Sequence, residues 1–386
     1  MARRATFLDS VWNEGVPTLL IDGGDLMGRR EKLEKEQSMF LCEMMGSFGY
    51  DAIGLGEMDL NYGLKFLQSV MELYQLPFTS ANVRMNENGE LILPEYLIVE
   101  KAGIRFGIIS VLDLEQKILT MTSREQEFYV EDPIATLRTV IPKVRKEADT
   151  IIVISHLGDQ KTEALLKEVE GVDVCIVGHT YRSLKTERAV GSTVLLAAVF
   201  EGREMGRADL DIDATGVVKA FTVDVASMDD EIANDPVVLE KVDAFNKHLE
   251  EVRMAMRGVH QQTKGSDDEE FLGEKVCVKC HEDVWAAVKE TGHQTALATL
   301  REKGQGFNPD CLVCHVVGYT YKNGYDERPP YNMLGNVQCE ACHGYGTLHQ
   351  RDGQWRMQAR ESCTGCHDKE NSPKFDFATY WDKIKH

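Results

Sequence analysis

Four Cys-x-x-Cys-His runs crowd the last third of the chain: Cys277, Cys280 and His281; Cys311, Cys314 and His315; Cys339, Cys342 and His343; Cys363, Cys366 and His367. This is the attachment pattern of c-type haem. Two cysteines two residues apart can each form a thioether to one porphyrin, and the adjoining histidine reaches the iron as proximal ligand. Cys-x-x-Cys also builds zinc ribbons and redox disulfides. Neither needs a histidine directly after every second cysteine, and here all four runs have one. The expectation is four covalently bound haem c groups. Composition agrees: only 19 of the 127 residues from 260 to 386 are Leu, Ile, Val or Phe. That is about 15%, below the roughly 20% a chain needs to bury a core of its own. Haem, a large flat apolar body, would supply that core, and without it this stretch should be mostly unfolded.

Each haem iron has a second axial position. Eleven histidines are present, and four follow the cysteine pairs. His260, His293, His349 and His386 lie within or beside the haem region, one per haem, and are the expected distal ligands. Any one of them read alone could be a solvated loop histidine. His248 lies off the apolar stripe Val238, Val242, Phe245, Leu249, Val252 and Met256 of a helix, so it reads as a surface residue.

The phrases CVKCHEDVWAAVKETGHQTAL, CLVCHVVGY and CEACHGYGTLH resemble the tetrahaem cytochrome c family typified by the electron carrier of hydroxylamine oxidation, over roughly residues 270–386. That resemblance implies distal ligation by the histidines matching His293 and His349. The closing CTGCHDKENSPKFDFATYWDKIKH resembles related multihaem proteins in which a late histidine, here His386, reaches back to a haem. Ligation by two histidines favours low potentials and fills both axial sites, which suits electron transfer.

The first 230 residues differ. Short apolar β runs at 17–22, 50–55, 77–81, 105–111, 150–155, 172–177 and 192–200 alternate with amphipathic stretches at 31–48, 60–74, 133–146 and 161–170. That rhythm predicts a layered α/β domain with functional residues at strand ends. Metal-type residues stand at four such ends: Asp25 in IDGGDL, Glu57 in GLGEMDLNYG, His156 in VISHLGD and His179 in VGHTY. Singly, each could equally be a capping or turn residue. Cys175 in a strand and Cys42 on a helix read as inert core thiols.

Together and in order, these motifs resemble the 5′-nucleotidase branch of the calcineurin-like metallophosphoesterases over roughly residues 1–225. LPFTSANV, GIRFGIISV and GREMGRADLDID support it. The family uses two metal ions that activate water and clamp a phosphoryl group. By resemblance, one metal site survives at Asp25, Glu57, His156 and His179, with Glu57 where the family has Asn. It would hold a divalent transition metal such as zinc, manganese or iron. The other site needs an opening Asp-x-His, expected before residue 1, and a histidine where Tyr181 stands. The family's catalytic histidine corresponds to Met58 and its Asp partner to Asn61. Neither thioether nor amide can shuttle a proton, so the acid–base pair is lost and no catalytic residue is assigned.

The fold class expected is therefore an α/β layered metallophosphoesterase-like domain (1–228), a connecting helix (229–259) opened by Asp235 and Pro236, and a small, mainly helical, haem-cored multihaem cytochrome c domain (260–386). A formal charge of −20 over 386 residues opposes nucleic-acid or anionic-membrane binding. No apolar run reaches the roughly 20 residues of a spanning helix, so the chain is not expected to be an integral membrane protein. Covalent haem attachment implies an export signal, which Met1–Leu20 does not supply, so a longer natural start is expected, with a periplasmic or extracellular location. Three readings remain open. The chain could be an electron carrier serving redox partner proteins or extracellular acceptors, with the α/β domain as docking surface or scaffold. It could be an active phosphoesterase with a redox domain. It could be the subunit of a homo-oligomer or filament with stacked haems.

Overall fold

The structure is a computed structural model that describes residues 1–28, 32–113, 127–180, 183–198, 202–255, 264–265, 269–326, 333–353, 359–368 and 371–385. The chain divides into two compact units, Met1–Val242 and Asp243–His386.

In the first unit, helix α1 (Ala2–Trp12) leads to strand β1 (Ile21–Asp22), α2 (Lys32–Phe48), β2 (Ala52–Gly54), α3 (Leu64–Tyr74) and β3 (Phe78–Thr79). Strands β1, β2 and β3 form a parallel three-stranded sheet. Next come β4 (Val83–Met85), β5 (Leu97–Lys101), β6 (Ile104–Leu112), β7 (Phe128–Val130), α4 (Pro133–Val144), β8 (Thr150–His156), α5 (Asp159–Glu168), β9 (Val174–Val177), β10 (Ala189–Val190) and β11 (Thr193–Ala197). A six-stranded sheet runs β10-β11-β9-β8-β6-β5, parallel except at its two edge strands. Strands β4 and β7 pair separately, and a long hairpin, β12 (Glu204–Ile212) and β13 (Val218–Ser227), ends the sheet region.

Strand β8, TIIVISH, is buried along its whole length, which explains why it carries no polar alternation. Period-two geometry splits its side chains between two cores. Ile152 and Ile154 pack with Ala52 of β2 and with Phe106 and Ile108, in the core shared by the two sheets. Ile151 and Val153 pack with Leu137, Val140, Ile141 and Val144 of α4 and with Leu165 and Leu166 of α5. On the far side of the three-stranded sheet, Cys42 and Met45 of α2 join Leu67 and Val70 of α3 and Leu8 of α1. The result is a helix–sheet–sheet–helix stack, the layered α/β architecture expected. Cys42 and Cys175 are both fully buried, and burial pushes the Cys42 thiol up to about 12 and raises that of Cys175.

Several elements differ from the sequence expectation. The run at 17–22 is strand only at Ile21–Asp22. Helix α1 was not anticipated, because two of its four buried positions, Ala2, Ala5, Leu8 and Val11, are alanines and give a weak apolar stripe. Strands β4 and β7 have three residues each, too few to show a period.

Helix α6 (Pro236–Ala255) starts as predicted, with the Asp235 carboxylate accepting from Val238 N–H at 2.7 Å. His248 on it is exposed. No described helix is long and apolar enough to cross a membrane. The second unit is built from short helices: α7 (Glu274–Cys277), α8 (Glu282–Val288), α9 (Ala296–Glu302), α10 (Pro309–His315), α11 (Cys339–His343), α12 (Gly346–Asp352), α13 (Ala359–Thr364) and α14 (Phe377–Ile384). Its apolar core is small, centred on Leu297, Leu300, Leu312, Val316, Val317, Tyr325 and Leu334. Helices α7, α8 and α14 fully bury none of their side chains.

Candidate metal centre and haem-binding residues

The metal-type residues of the first unit converge. Asp25 follows β1, Glu57 opens a single 3-10 turn after β2, His156 ends β8 and His179 follows β9. All are at carboxyl ends of parallel strands, where an open α/β sheet gathers its ligands. One donor atom from each lies within 4.8 Å of all the others, the one such group among the described residues. His156 Nε2 is 3.2 Å from both Asp25 Oδ2 and Glu57 Oε2, and His179 Nδ1 is 3.3 Å from Glu57 Oε1. Glu57 thus faces both imidazoles.

The surroundings hold this geometry. His156 Nδ1 donates to the Gly23 carbonyl at 2.8 Å, which leaves Nε2 as the electron-pair donor toward the cluster. Asp25 and His179 both sit at positive φ, 62° and 52°, which non-glycine residues adopt only when the surrounding structure imposes it. Two glycines let the loops meet: a Cβ on Gly56 would lie 2.0 Å from Asp25 Oδ1, and one on Gly178 would lie 2.7 Å from His156 Nδ1.

Asp59 is the residue that motif reading passed over. It is fully buried, and its carboxylate accepts from Asp25 N–H (2.9 Å), Leu26 N–H (2.7 Å), Met27 N–H (3.2 Å) and Gly56 N–H (2.8 Å). It therefore ties the loop bearing Asp25 to the loop bearing Glu57. The sequence held one faint signal, an Asp at the third position of the turn after Gly56. Burial, then the charge of Asp25, push the Asp59 carboxyl up to about 7.

The donor set fits a transition metal. Glu57 Oε2 is buried with His156 Nε2 at 3.2 Å and no well-aligned hydrogen bond, a costly state that a cation would relieve. Burial alone would lower the His156 pKa, but hydrogen bonds to Asp25 and Glu57 outweigh it and raise it to about 10. Burial works against the Glu57 charge as well; its hydrogen bond to His156 and the two imidazoles win, and its pKa is lowered. Two carboxylates and two imidazoles suit zinc, manganese or iron. Of the catalytic positions implied by the resemblance, Asn61 donates from Nδ2 to the Gly28 carbonyl at 3.0 Å and so braces a loop. The Met58 backbone N–H donates to Asp25 Oδ1 at 2.9 Å. Tyr181 lies outside the described residues.

In the second unit, Cys311 and Cys314 sit on α10 and Cys339 and Cys342 on α11. There the i, i+3 spacing puts each pair on one helix face. Cys277 ends α7 and Cys363 lies in α13, with Cys280, His281, Cys366 and His367 just beyond. None of the eight cysteines is paired in a disulfide. Cys277 lies near Cys339 and Cys314 near Cys366, so runs one and three are neighbours, as are runs two and four, and α11 also packs on α13 of the fourth run.

Two of the expected distal histidines also meet proximal ones. The rings of His281 and His349 face each other with centroids 6.0 Å apart, and those of His293 and His367 at the same separation. Metal–imidazole bonds of about 2 Å on either side of one iron put two rings roughly that far apart. His315 Nδ1 donates to the Ala296 carbonyl at 2.8 Å, and His367 Nδ1 lies 3.0 Å from Ser372 Oγ, which leaves Nε2 of each for a metal. Burial, then the facing His367, lowers the His293 pKa; burial likewise lowers that of His367, favouring neutral imidazoles able to ligate. The residues present fit haem. His260 and His386 lie outside the described residues.

Comparison with known proteins divides the chain in the same way. Residues 276–344 match the cytochrome c554 and c-prime family. Cytochrome c-554 of Nitrosomonas europaea is 33% identical over 109 residues, 24% of this chain and 46% of that protein. The trifunctional nucleotide phosphoesterase of Bacillus subtilis is 23% identical over 340 residues, 75% of this chain. The chain spans only 23% of that relative's length. The structure of a 5′-nucleotidase precursor from Thermus thermophilus superposes with a TM-score of 0.55 at 21% identity, over 78% of this chain and 62% of that one. The chain thus joins a 5′-nucleotidase-like, calcineurin-like phosphoesterase fold to a cytochrome c554-like region, which implies haem c.

Proposed function

We propose that the protein is an exported tetrahaem electron carrier, periplasmic or extracellular, whose phosphoesterase-like region (1–228) is hydrolytically inactive and binds a single metal ion. Its haem region (260–386) attaches four haem c groups through Cys277 and Cys280, Cys311 and Cys314, Cys339 and Cys342, and Cys363 and Cys366. His281, His315, His343 and His367 are the proximal ligands, and His260, His293, His349 and His386 the distal ones. The bound haems supply one-electron couples. The protein's residues fix their spacing, fill both axial positions and set their electrostatic surroundings. The observation that carries this reading is the pairing of His281 with His349 and of His293 with His367, each at 6.0 Å.

Asp25, Glu57, His156 and His179 hold the metal, and Asp59 positions the two loops around it. Phosphoryl transfer at this site is disfavoured by its own residues. Glu57 adds a negative charge facing an incoming phosphate, and Met58 and Asn61 cannot act as acid and base. The intact four-residue cluster is what favours the second reading, an active phosphoesterase with two metals.

Metal analysis of the mature protein by mass spectrometry, alongside a pyridine haemochrome and a phosphate-release assay, separates the two. Four haem irons with about one further metal and no nucleotide hydrolysis are expected. Two further metals with metal-dependent hydrolysis at enzyme-like rates would sink the proposal.

A further inference from the structure

One buried charge in the haem unit is not accounted for by ligation or attachment. Glu340, on α11 between Cys339 and Cys342, is 2% exposed. Its Oε1 accepts from Leu272 N–H (2.8 Å) and Gly346 N–H (2.7 Å), and its Oε2 accepts from Gly273 N–H (2.7 Å). A side chain that accepts three hydrogen bonds and donates none is a carboxylate. The packing leaves it no room to move, since a Cβ on Gly346 would lie 2.6 Å from Oε1. Glu340 stands between Cys339 and Cys342 in the chain, and its bonds to Leu272 and Gly273 fix it at the start of the helix that ends in Cys277, so it borders two haem runs.

The other close cysteine pair, Cys314 with Cys366, has a different neighbour. There the nearby carboxylate is Asp368, which is exposed. Water and salt screen an exposed charge, whereas a buried one acts at low effective dielectric. Glu340 is therefore the less screened of the two carboxylates.

We propose that Glu340 is a fixed charge that lowers the reduction potential of the haem attached at Cys339 and Cys342, and less strongly that of the haem at Cys277 and Cys280. This rests on the tetrahaem reading. The iron–porphyrin core of a ferric haem with two neutral imidazoles carries one net positive charge, its propionates aside. On taking one electron from a redox partner that core becomes ferrous and neutral. A nearby carboxylate stabilises the ferric form, so these two haems form the low-potential end and electrons run from them toward the haems of the second and fourth runs.

The test is a spectroelectrochemical titration of the holoprotein beside E340Q and D368N. E340Q is expected to favour reduction about tenfold at one step, which is 59 mV for one electron, with a smaller shift at a second. D368N is expected to change every step by less than about twofold. A retained low-spin spectrum shows that ligation is intact in each variant. Unchanged steps in E340Q, or an equal shift in D368N, overturn the proposal. Should E340Q fail to mature, H343M decides, because methionine ligation raises the potential of its own haem. It must move one of the two lowest wild-type steps, and movement of an upper step overturns the proposal. A haemochrome count below four would instead overturn the tetrahaem reading itself.

Discussion

His349 lies opposite His281, ring to ring at 6.0 Å and 35°, although one sits on α12 and the other just before α8, far apart in the chain. The pairing of His293 with His367 is of the same kind at 47°. His293 follows the first haem run in sequence, yet it faces the proximal histidine of the fourth. Substituting His349 should therefore make the first-run haem five-coordinate and high-spin. Substituting His293 should do this to the fourth-run haem and leave the first untouched. Electron paramagnetic resonance of H349A, H293A and the double variant distinguishes these sites. If H293A and H349A perturb the same haem, the cross-pairing is wrong.

Asp59 makes a separate prediction about the metal centre. Its carboxylate satisfies four backbone N–H groups, of Asp25, Leu26, Met27 and Gly56. Alanine there strands several buried donors, at about 1–3 kcal/mol for each that water cannot reach. D59A should lower the thermal midpoint of the α/β unit by an amount equivalent to about 3 kcal/mol and weaken metal binding as well, although Asp59 is not a ligand. Calorimetric melting with and without added zinc checks both effects. Full-strength metal binding in D59A would show that the loop tie is dispensable.

What could be read from the sequence follows from where the information is local. Asp25, Glu57, His156 and His179 each end an apolar run, so period and motif together identify them. The cysteine runs are local too. Asp59 could not be found that way, because its partners at residues 25–27 come close only once β1 and β2 pair. The His293–His367 contact is likewise a product of tertiary folding, and adjacency in sequence points to the wrong run. Strand β8 was legible as a strand but not as to its faces, since Ile151 and Ile152 look alike and only the two cores tell them apart.

Proton competition at the metal site gives a pH prediction with a definite sign. Between Asp25 and Glu57 the His156 pKa is raised to about 10, against the effect of burial. A metal needs the neutral imidazole, so binding below that pH must expel one proton. Affinity should then rise about tenfold per pH unit through neutrality and level off near pH 10. For the metal-free protein the same shift stabilises the fold fully below the ordinary histidine value of about 6.5, a contribution lost as pH climbs through 10. Removing the Glu57 charge in E57Q should move the plateau to lower pH. Titration calorimetry with manganese in buffers of differing ionisation enthalpy counts the protons. Release of none at pH 7 would contradict this account.

The small core of the second unit leads to the last prediction. Helix α7, which ends in Cys277, fully buries no side chain, nor do α8 or α14. Burial of apolar surface at about 25 cal/mol per Å² must offset about 1–2 kcal/mol of backbone entropy per ordered residue. The cluster around Leu297, Leu312 and Tyr325 is too small to do so for over a hundred residues. A variant with all eight attachment cysteines replaced by alanine should therefore lose helical signal from residues 260–386, while the α/β unit, with three apolar cores of its own, still melts cooperatively. Limited proteolysis should trim it to a stable fragment ending near α6. Persistence of the helical signal and protease resistance in that haem-free protein would mean that the peptide core suffices, and that haem is cargo in this region rather than its scaffold.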